Sequence, residues 1–480
     1  MRISKRHIGL ILGPLSFLYI LLFFHPEGLS KPANAVLAST IWIAIWWISE
    51  VIPIAVTALL PIILFPLTGG LNINETTASY GHKYIFLFIG GFILALTIEK
   101  WNLHKRIALN IIKIVGTNVV NIILGFMVAT AFLSMWISNT ASSVMLLPVG
   151  MAIVLQLRDN PNTVEDENRI FGKALMLAIA YSASIGGMAT LIGTPTNLVL
   201  AGVIQTSFDV EITFSQWFIF GFPIALILLF LSWLYLTRFA FKFKQKEFPG
   251  GKAEINRQIK ALGNMTYEEK VVLFIFVCTA FAWITRSFII QKIIPTIDDT
   301  IIAITFSILL FIIPSRQKNV NIMSWKDAVK LPWGIVLLFG GGLALASGFE
   351  SSGLASWIGS QLSILEALPF IVLLLILIAV VNFLTEITSN VATTAMLLPI
   401  LVSLAPVLNV HPYYLMVAAT VAASCAFMLP VATPPNAVVF GSGYLRISDM
   451  VKKGVWMNLL SIILLTIIVY FLLPLVWDLS

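Results

Sequence analysis

The sequence predicts an all-α protein that crosses a membrane many times and is built from two halves that repeat one another. Three observations predict it. Of 480 residues, 59% are hydrophobic and only 11% charged, and mean hydropathy is +0.97. Soluble domains carry about 25% charged residues, so the bilayer must be the solvent for this chain. Apolar runs recur from end to end, and polar motifs that are costly in lipid recur at a fixed spacing.

Apolar runs fall at 8–24, 35–49, 51–69, 84–99, 118–135, 144–157, 174–192, 217–240, 271–285, 300–314, 333–348, 369–384, 394–408, 413–440 and 455–477. Arg2, Lys5 and Arg6 precede the first run, as in a signal peptide. No small-residue cleavage site follows, so residues 1–33 read as an uncleaved first helix and an external loop. The long hydrophilic stretch 242–270 is rich in lysine and reads as a cytoplasmic linker. It separates a first repeat, 34–241, from a second, 271–480.

The net charge of +7 could suggest nucleic acid. The basic residues, however, flank apolar runs, the positive-inside pattern of a membrane protein, and no nucleic-acid partner is expected. Cys278 and Cys425 both lie in apolar runs and indicate no disulfide framework. The five histidines are scattered without metal-ligand spacing. No HExxH, phosphate-binding loop or GxSxG occurs, so no cofactor and no enzyme activity is expected.

The halves match at an offset of 251 residues. Phe88-Ile89-Gly90-Gly91 pairs with Phe339-Gly340-Gly341-Gly342, and Glu99 with Glu350. Phe132-Leu133-Ser134 pairs with Phe383-Leu384-Thr385, Ser138-Asn139-Thr140 with Ser389-Asn390-Val391, and Leu147-Pro148 with Leu398-Pro399. Gly193-Thr194-Pro195-Thr196-Asn197 then pairs with Ala432-Thr433-Pro434-Pro435-Asn436 at a slightly shorter offset. Matched leucines mean little in apolar sequence, whereas matched Ser-Asn and Thr-Pro-x-Asn mean much more.

With the N-terminus and linker cytoplasmic, the first repeat returns inside at Lys100, Lys105 and Arg106. The matching segment of the second leaves near Glu350, and the C-terminus falls outside. Equivalent segments then run in opposite directions, an inverted repeat. The parity holds if 118–157 and 369–408 are hairpins entering and leaving on one side. Their arms are long enough for full spans, which leave the parity unchanged.

Each expected hairpin places Ser-Asn at its turn. Alone, either pair reads as a helix cap; both together, each followed by a Thr-Pro break within 174–200 and 413–440, read as a polar chamber. Proline removes a ladder hydrogen bond, and half-helix N-termini offer free N–H groups and partial positive charge to an anion. Freed carbonyls can coordinate Na⁺. No Arg or Lys lies in the four motifs, so neutral donors, helix ends and bound cations would hold the anion. Glu99 and Glu350 read as membrane-edge charges. Glu386 is an acid at membrane depth, one helical turn before Asn390, and is expected near the second tip's cation site.

The paired Ser-Asn tips with Thr-Pro breaks resemble the divalent anion/sodium symporter family over nearly the whole chain. The resemblance implies about eleven transmembrane helices, two re-entrant hairpins, a homodimer in the lipid of the cytoplasmic membrane, and elevator-type transport of C4–C6 dicarboxylates or citrate. It implies Na⁺ sites at Ser134, Ser138, Asn139 and Gly193, and at Thr385, Thr388, Asn390 and Ala432. Substrate carboxylates would meet Ser138, Asn139, Thr140, Thr194 and Pro195, and Ser389, Asn390, Val391, Thr433 and Pro434. Val391 departs from the family's threonine, removing one hydroxyl from the second tip. A related inorganic-anion or Na⁺/H⁺ carrier is the alternative; a channel or an intramembrane enzyme fits less well. Retention of Ser134, Ser138, Asn139 and Thr385 favours Na⁺ symport, while Val391 and Glu386 raise the alternative of dicarboxylate exchange.

Overall fold

The computed structural model describes residues 5–116, 118–158, 165–243, 251–317, 320–361 and 368–479. Part of the expected linker, 244–250, lies outside the described residues. Among those described, the chain is helical throughout, with one isolated bridge between Pro314 and Asn321. Among the described residues, nine helices are long and apolar enough to cross a membrane, and six shorter apolar helices lie among them.

Two hairpins and two broken helices, drawn from both groups, build the centre of the molecule. Val119–Ser134 and Asn139–Arg158 are the arms of the first hairpin, Phe370–Leu384 and Asn390–Val407 those of the second. The first broken helix comprises Glu165–Gly187 and Pro195–Phe208, the second Pro412–Ala423 and Pro434–Phe440. Hydropathy misjudges two boundaries. Asn139-Thr140-Ala141-Ser142-Ser143 scores as loop yet forms the first turn of its helix, because small polar residues suit a helix N-terminus. The half-helix after the first break continues to Phe208, beyond the expected 200.

The two halves interlock. Pro195–Phe208 packs on Asn390–Val407 and Pro412–Ala423 of the other half. Pro434–Phe440 packs reciprocally on Asn139–Arg158 and Glu165–Gly187. Each half-helix therefore completes the other half's hairpin.

The glycine motifs are close-packing points. A Cβ on Gly90 would lie 2.7 Å from Ala303 Cβ, where Lys83–Lys100 crosses Asp299–Ile312, and Ser307 donates to Gly90 O at 2.9 Å. A Cβ on Gly341 would lie 2.5 Å from Ala58 O, which also accepts from the Tyr80 hydroxyl. Away from the centre, Lys100 bridges Asp327 at 2.9 Å. Arg106 grips Glu269 at 2.9 and 3.1 Å. Arg286 joins Glu211 and Asp299 at 2.8 and 3.1 Å.

Two amphipathic helices, Leu103–Val115 and Gly251–Ala261, pack on one another beside the first hairpin. The apolar-run pattern misses both, because each is apolar on one face only.

Candidate functional site

At the first tip, Ser134 closes one hairpin arm and Asn139 opens the other. The Ser134 hydroxyl lies 2.5 Å from Asn139 Oδ1 and 2.6 Å from Ala183 O, on the broken helix behind. Thr385 repeats the arrangement at the second tip, with Asn390 Oδ1 at 2.7 Å and Ala423 O at 3.0 Å. Each cluster converges a hydroxyl, an amide oxygen and a main-chain carbonyl. That neutral oxygen set suits a hard monovalent or divalent cation better than a transition metal.

The breaks are tied the same way. Asn197 Nδ2 donates to Thr190 O at 2.8 Å and Gly187 O at 3.3 Å, and Asn436 Nδ2 to Leu429 O at 3.0 Å and Ala426 O at 3.2 Å. These asparagines hold the unwound segments in shape by satisfying carbonyls that the end of the preceding helix leaves unpaired. Their own oxygens, Asn197 Oδ1 and Asn436 Oδ1, are both buried without a hydrogen-bond partner.

The four motifs meet in one cavity of about 850 Å³. Ser138, Asn139, Thr140, Gly193, Thr194 and Pro195 line it from the first half. Thr388, Ser389, Asn390, Val391, Ala432, Thr433 and Pro434 line it from the second. Ser134 and Thr385 are fully buried behind these residues. Thr388 is turned to its own hairpin, donating to Leu384 O at 2.9 Å and sharing a hydrogen bond with Thr393 at 2.6 Å. The cap reading also holds for Ser138, whose Oγ accepts from Ala141 N at 3.1 Å. Ser138 therefore stiffens the tip as well as lining the cavity.

Glu386 corrects an expectation. Its carboxylate accepts from the main-chain N–H groups of Phe427, Met428 and Leu429 at 2.8, 2.9 and 2.9 Å. A fourth donor, Asn458 Nδ2, sits at 2.8 Å. The side chain is buried and does not line the cavity. An anion satisfies three orphan N–H groups of the unwound segment at once, so Glu386 pins the second tip to the second break. At the equivalent place in the first half, Thr190 donates to Met135 O at 2.5 Å.

Three polar or charged lining residues were not expected: Arg6, Ser49 and Glu50 border the cavity, and among the described residues Arg6 is the one lysine or arginine that does. The first helix is seated there by Trp46 Nε1 donating to Gly9 O at 3.0 Å. In the sequence Arg6 reads only as a flanking charge. Glu99 and Glu350 each line a smaller crevice behind a hairpin. The first, about 540 Å³, also holds Pro148, and the second, about 90 Å³, holds Pro399. Among the described residues no group of three or more His, Cys, Asp or Glu side chains could hold a metal ion.

Comparison with known proteins follows the same outline. Two solved transporters share the fold: the YdaH transporter of Alcanivorax borkumensis and MtrF of Neisseria gonorrhoeae. The first superposes with a TM-score of 0.61 at 12% identity, over 94% of this chain and all of that one. The second gives 0.57 at 13% identity, over 95% and 97%. Closer in sequence is the sodium-dependent dicarboxylate transporter SdcS of Staphylococcus saprophyticus, 50% identical over 473 residues, 97% of this chain and 91% of that one. Its counterpart in Staphylococcus aureus strain USA300 is 50% identical over 475 residues, 98% and 91%. The profile of the sodium:sulfate symporter transmembrane region matches residues 4–477, and the chain belongs to that family of membrane transporters.

Proposed function

We propose that this chain carries small dicarboxylates across the cytoplasmic membrane, driven by Na⁺ entering with the substrate. The observation that carries the reading is the cavity: the motifs of both halves converge on it, with a hydroxyl–amide–carbonyl cluster behind each tip. The 50% identical relatives named as sodium-dependent dicarboxylate transporters support it.

The substrate's carboxylates face the N-terminal turns that begin at Asn139, Pro195 and Asn390, where unpaired N–H groups and the helix dipole favour negative charge. Na⁺ occupies the two clusters, with Ser134, Ser138, Asn139 and Gly193 around one and Thr385, Thr388, Asn390 and Ala432 around the other. Na⁺ charge beside the tips offsets the charge of a dianion in a low-dielectric site, so substrate and cation bind together. Val391 gives the second tip one hydroxyl fewer than Thr140 gives the first.

The architecture that goes with this reading is an inverted repeat with the N-terminus cytoplasmic and the C-terminus external. Hairpins and broken helices move together as an elevator against a homodimeric scaffold. A chamber lined with amides and hydroxyls is too costly to expose to lipid, so it moves as one body within protein.

The test is uptake of labelled succinate into proteoliposomes, in Na⁺ or choline, empty or preloaded with succinate, with sulfate as competitor. Uptake that requires a Na⁺ gradient and ignores internal succinate is expected. Uptake that requires internal succinate and ignores Na⁺ refutes symport, and displacement of succinate by equimolar sulfate points to an inorganic-anion carrier instead.

A further inference from the structure

The two breaks touch at one polar contact. Thr196 Oγ1, in the first turn after the first break, and Ser424 Oγ, where the second break begins, share a hydrogen bond at 3.1 Å. Thr196 is fully buried and Ser424 nearly so. The next residue, Cys425, places its Sγ 3.8 Å from Met188 Sδ, a second contact between the two unwound segments.

Each hydroxyl is next to one cluster. Thr196 Oγ1 donates to Thr194 Oγ1 at 3.4 Å, and Thr194 lines the cavity beside Gly193. Ser424 follows Ala423, whose carbonyl completes the second cluster by accepting from Thr385 at 3.0 Å. Three hydroxyls therefore run in contact from Thr194 through Thr196 to Ser424, and Ser424 adjoins in sequence the residue whose carbonyl completes the second cluster.

The contact has no mirror image. The cluster carbonyls pair Ala183 with Ala423, so Ser184 corresponds to Ser424, while the Thr-Pro motifs, one residue out of that register, pair Thr196 with Pro435. Proline has no hydroxyl, so the second half cannot make the reciprocal bond. A pseudo-symmetric chamber thus carries one polar link across its centre instead of two.

We propose that the Thr196–Ser424 hydrogen bond is a positioning pair that couples the two cation clusters. The inference rests on the Na⁺-coupled reading above. Cation at the first cluster orders Gly193 to Thr196; the shared hydrogen bond fixes Ser424 and with it the Ala423 carbonyl, so the second cluster is pre-formed. Coupling between sites is reciprocal, so filling the second cluster favours the first equally. The hydroxyls touch neither substrate nor cation. They act through Thr194 and the Ala423 carbonyl.

The experiment measures Na⁺ dependence in purified Thr196→Val, Ser424→Ala and the double variant, with Thr196→Ser as the conservative control. Thermal protection by Na⁺ in detergent and succinate uptake against Na⁺ give the Hill coefficient independently. The wild type should bind Na⁺ with a Hill coefficient above 1. Each single variant should fall to about 1, with half-saturating Na⁺ raised roughly five-fold, and the double should be no worse than either single. Thr196→Ser, which keeps the hydroxyl, should retain cooperativity. A wild type indifferent to Na⁺ would refute the underlying function. A wild type that is cooperative, with Thr196→Val and Ser424→Ala equally so, would overturn the coupling alone. Loss of melting temperature in the variants with the Hill coefficient unchanged would mark the pair as merely structural, and also overturns it.

Discussion

The Glu386 carboxylate accepts a hydrogen bond from Asn458 Nδ2 at 2.8 Å, tying the second hairpin tip to the last helix, Ile447–Trp477. Together with three main-chain donors, this makes Glu386 a clamp. Glu386→Gln keeps one oxygen but removes the charge and puts an amide NH2, which cannot accept, against a main-chain N–H such as that of Leu429. Buried hydrogen bonds to a charged group contribute roughly 1.5–3 kcal/mol each, so the loss should be severe. A clear drop in melting temperature in detergent is expected, with transport falling in proportion to folded protein. A stable Glu386→Gln that converts from symport to exchange would reject the clamp.

Asn139→Ala and Asn390→Ala remove the amide oxygen from a cluster and a polar group from the cavity wall. Each should lower succinate uptake by roughly a hundred-fold or more, since two coupled functions are lost with one side chain. Elution volume in size-exclusion chromatography should stay that of the wild type. Wild-type uptake in either variant removes that residue from the site.

Val391→Thr restores to the second tip the hydroxyl that Thr140 supplies at the first. A hydrogen bond to a charged carboxylate is worth about 1.5 kcal/mol or more, roughly ten-fold in affinity. KM for succinate should fall by about that factor, with little change for a monocarboxylate competitor. An unchanged KM places this side of the cavity away from the second carboxylate.

Arg6 should steer anions into the cavity it borders. Arg6→Gln should raise KM for succinate several-fold at low ionic strength, and the difference should shrink with added salt as screening removes it. A KM ratio independent of salt would mean that Arg6 acts through packing alone.

The Asp327 carboxyl is held down at about 2, chiefly by its hydrogen bond from Lys100. A carboxyl depressed in the folded state stabilises above its unfolded pKa, ordinarily 3.8 for aspartate, and that contribution disappears as pH falls towards 2. Wild type and Asp327→Asn should differ in melting temperature by a constant amount from pH 5 to 8. The two curves should converge below pH 4. A difference that grows with acidity would be the wrong sign for this bridge.

The tips and breaks were legible in the sequence because Ser-Asn and Thr-Pro-x-Asn are costly at membrane depth and recur in register. The residues reached from elsewhere were not. Asn458, the lone asparagine of the last apolar run, was the signal for a buried acceptor, but its pairing with Glu386 spans 72 positions and needs the tertiary structure. Arg6 reads as an ordinary flanking charge, because only the packing of the first helix on Trp46 brings it to the cavity. Glu99 and Glu350 read as edge charges, since hydropathy records depth and not what lies behind a hairpin.

The interlocking of the halves bears on how such a chain can arise. Pro195–Phe208 and Pro434–Phe440 each rest on the opposite half, and the cavity takes residues from both. A gene encoding one half alone would specify a hairpin tip without the helix that covers it. An ancestral single-length protein could build a closed chamber only as a pair of copies, each supplying the half-helix its neighbour lacks. Fusion of two such copies removes the need for subunits to find each other, and it frees corresponding positions to diverge. Thr196 opposite Pro435, and Thr140 opposite Val391, are divergences of that kind: substitutions that a pair of identical subunits could not have made on one side only.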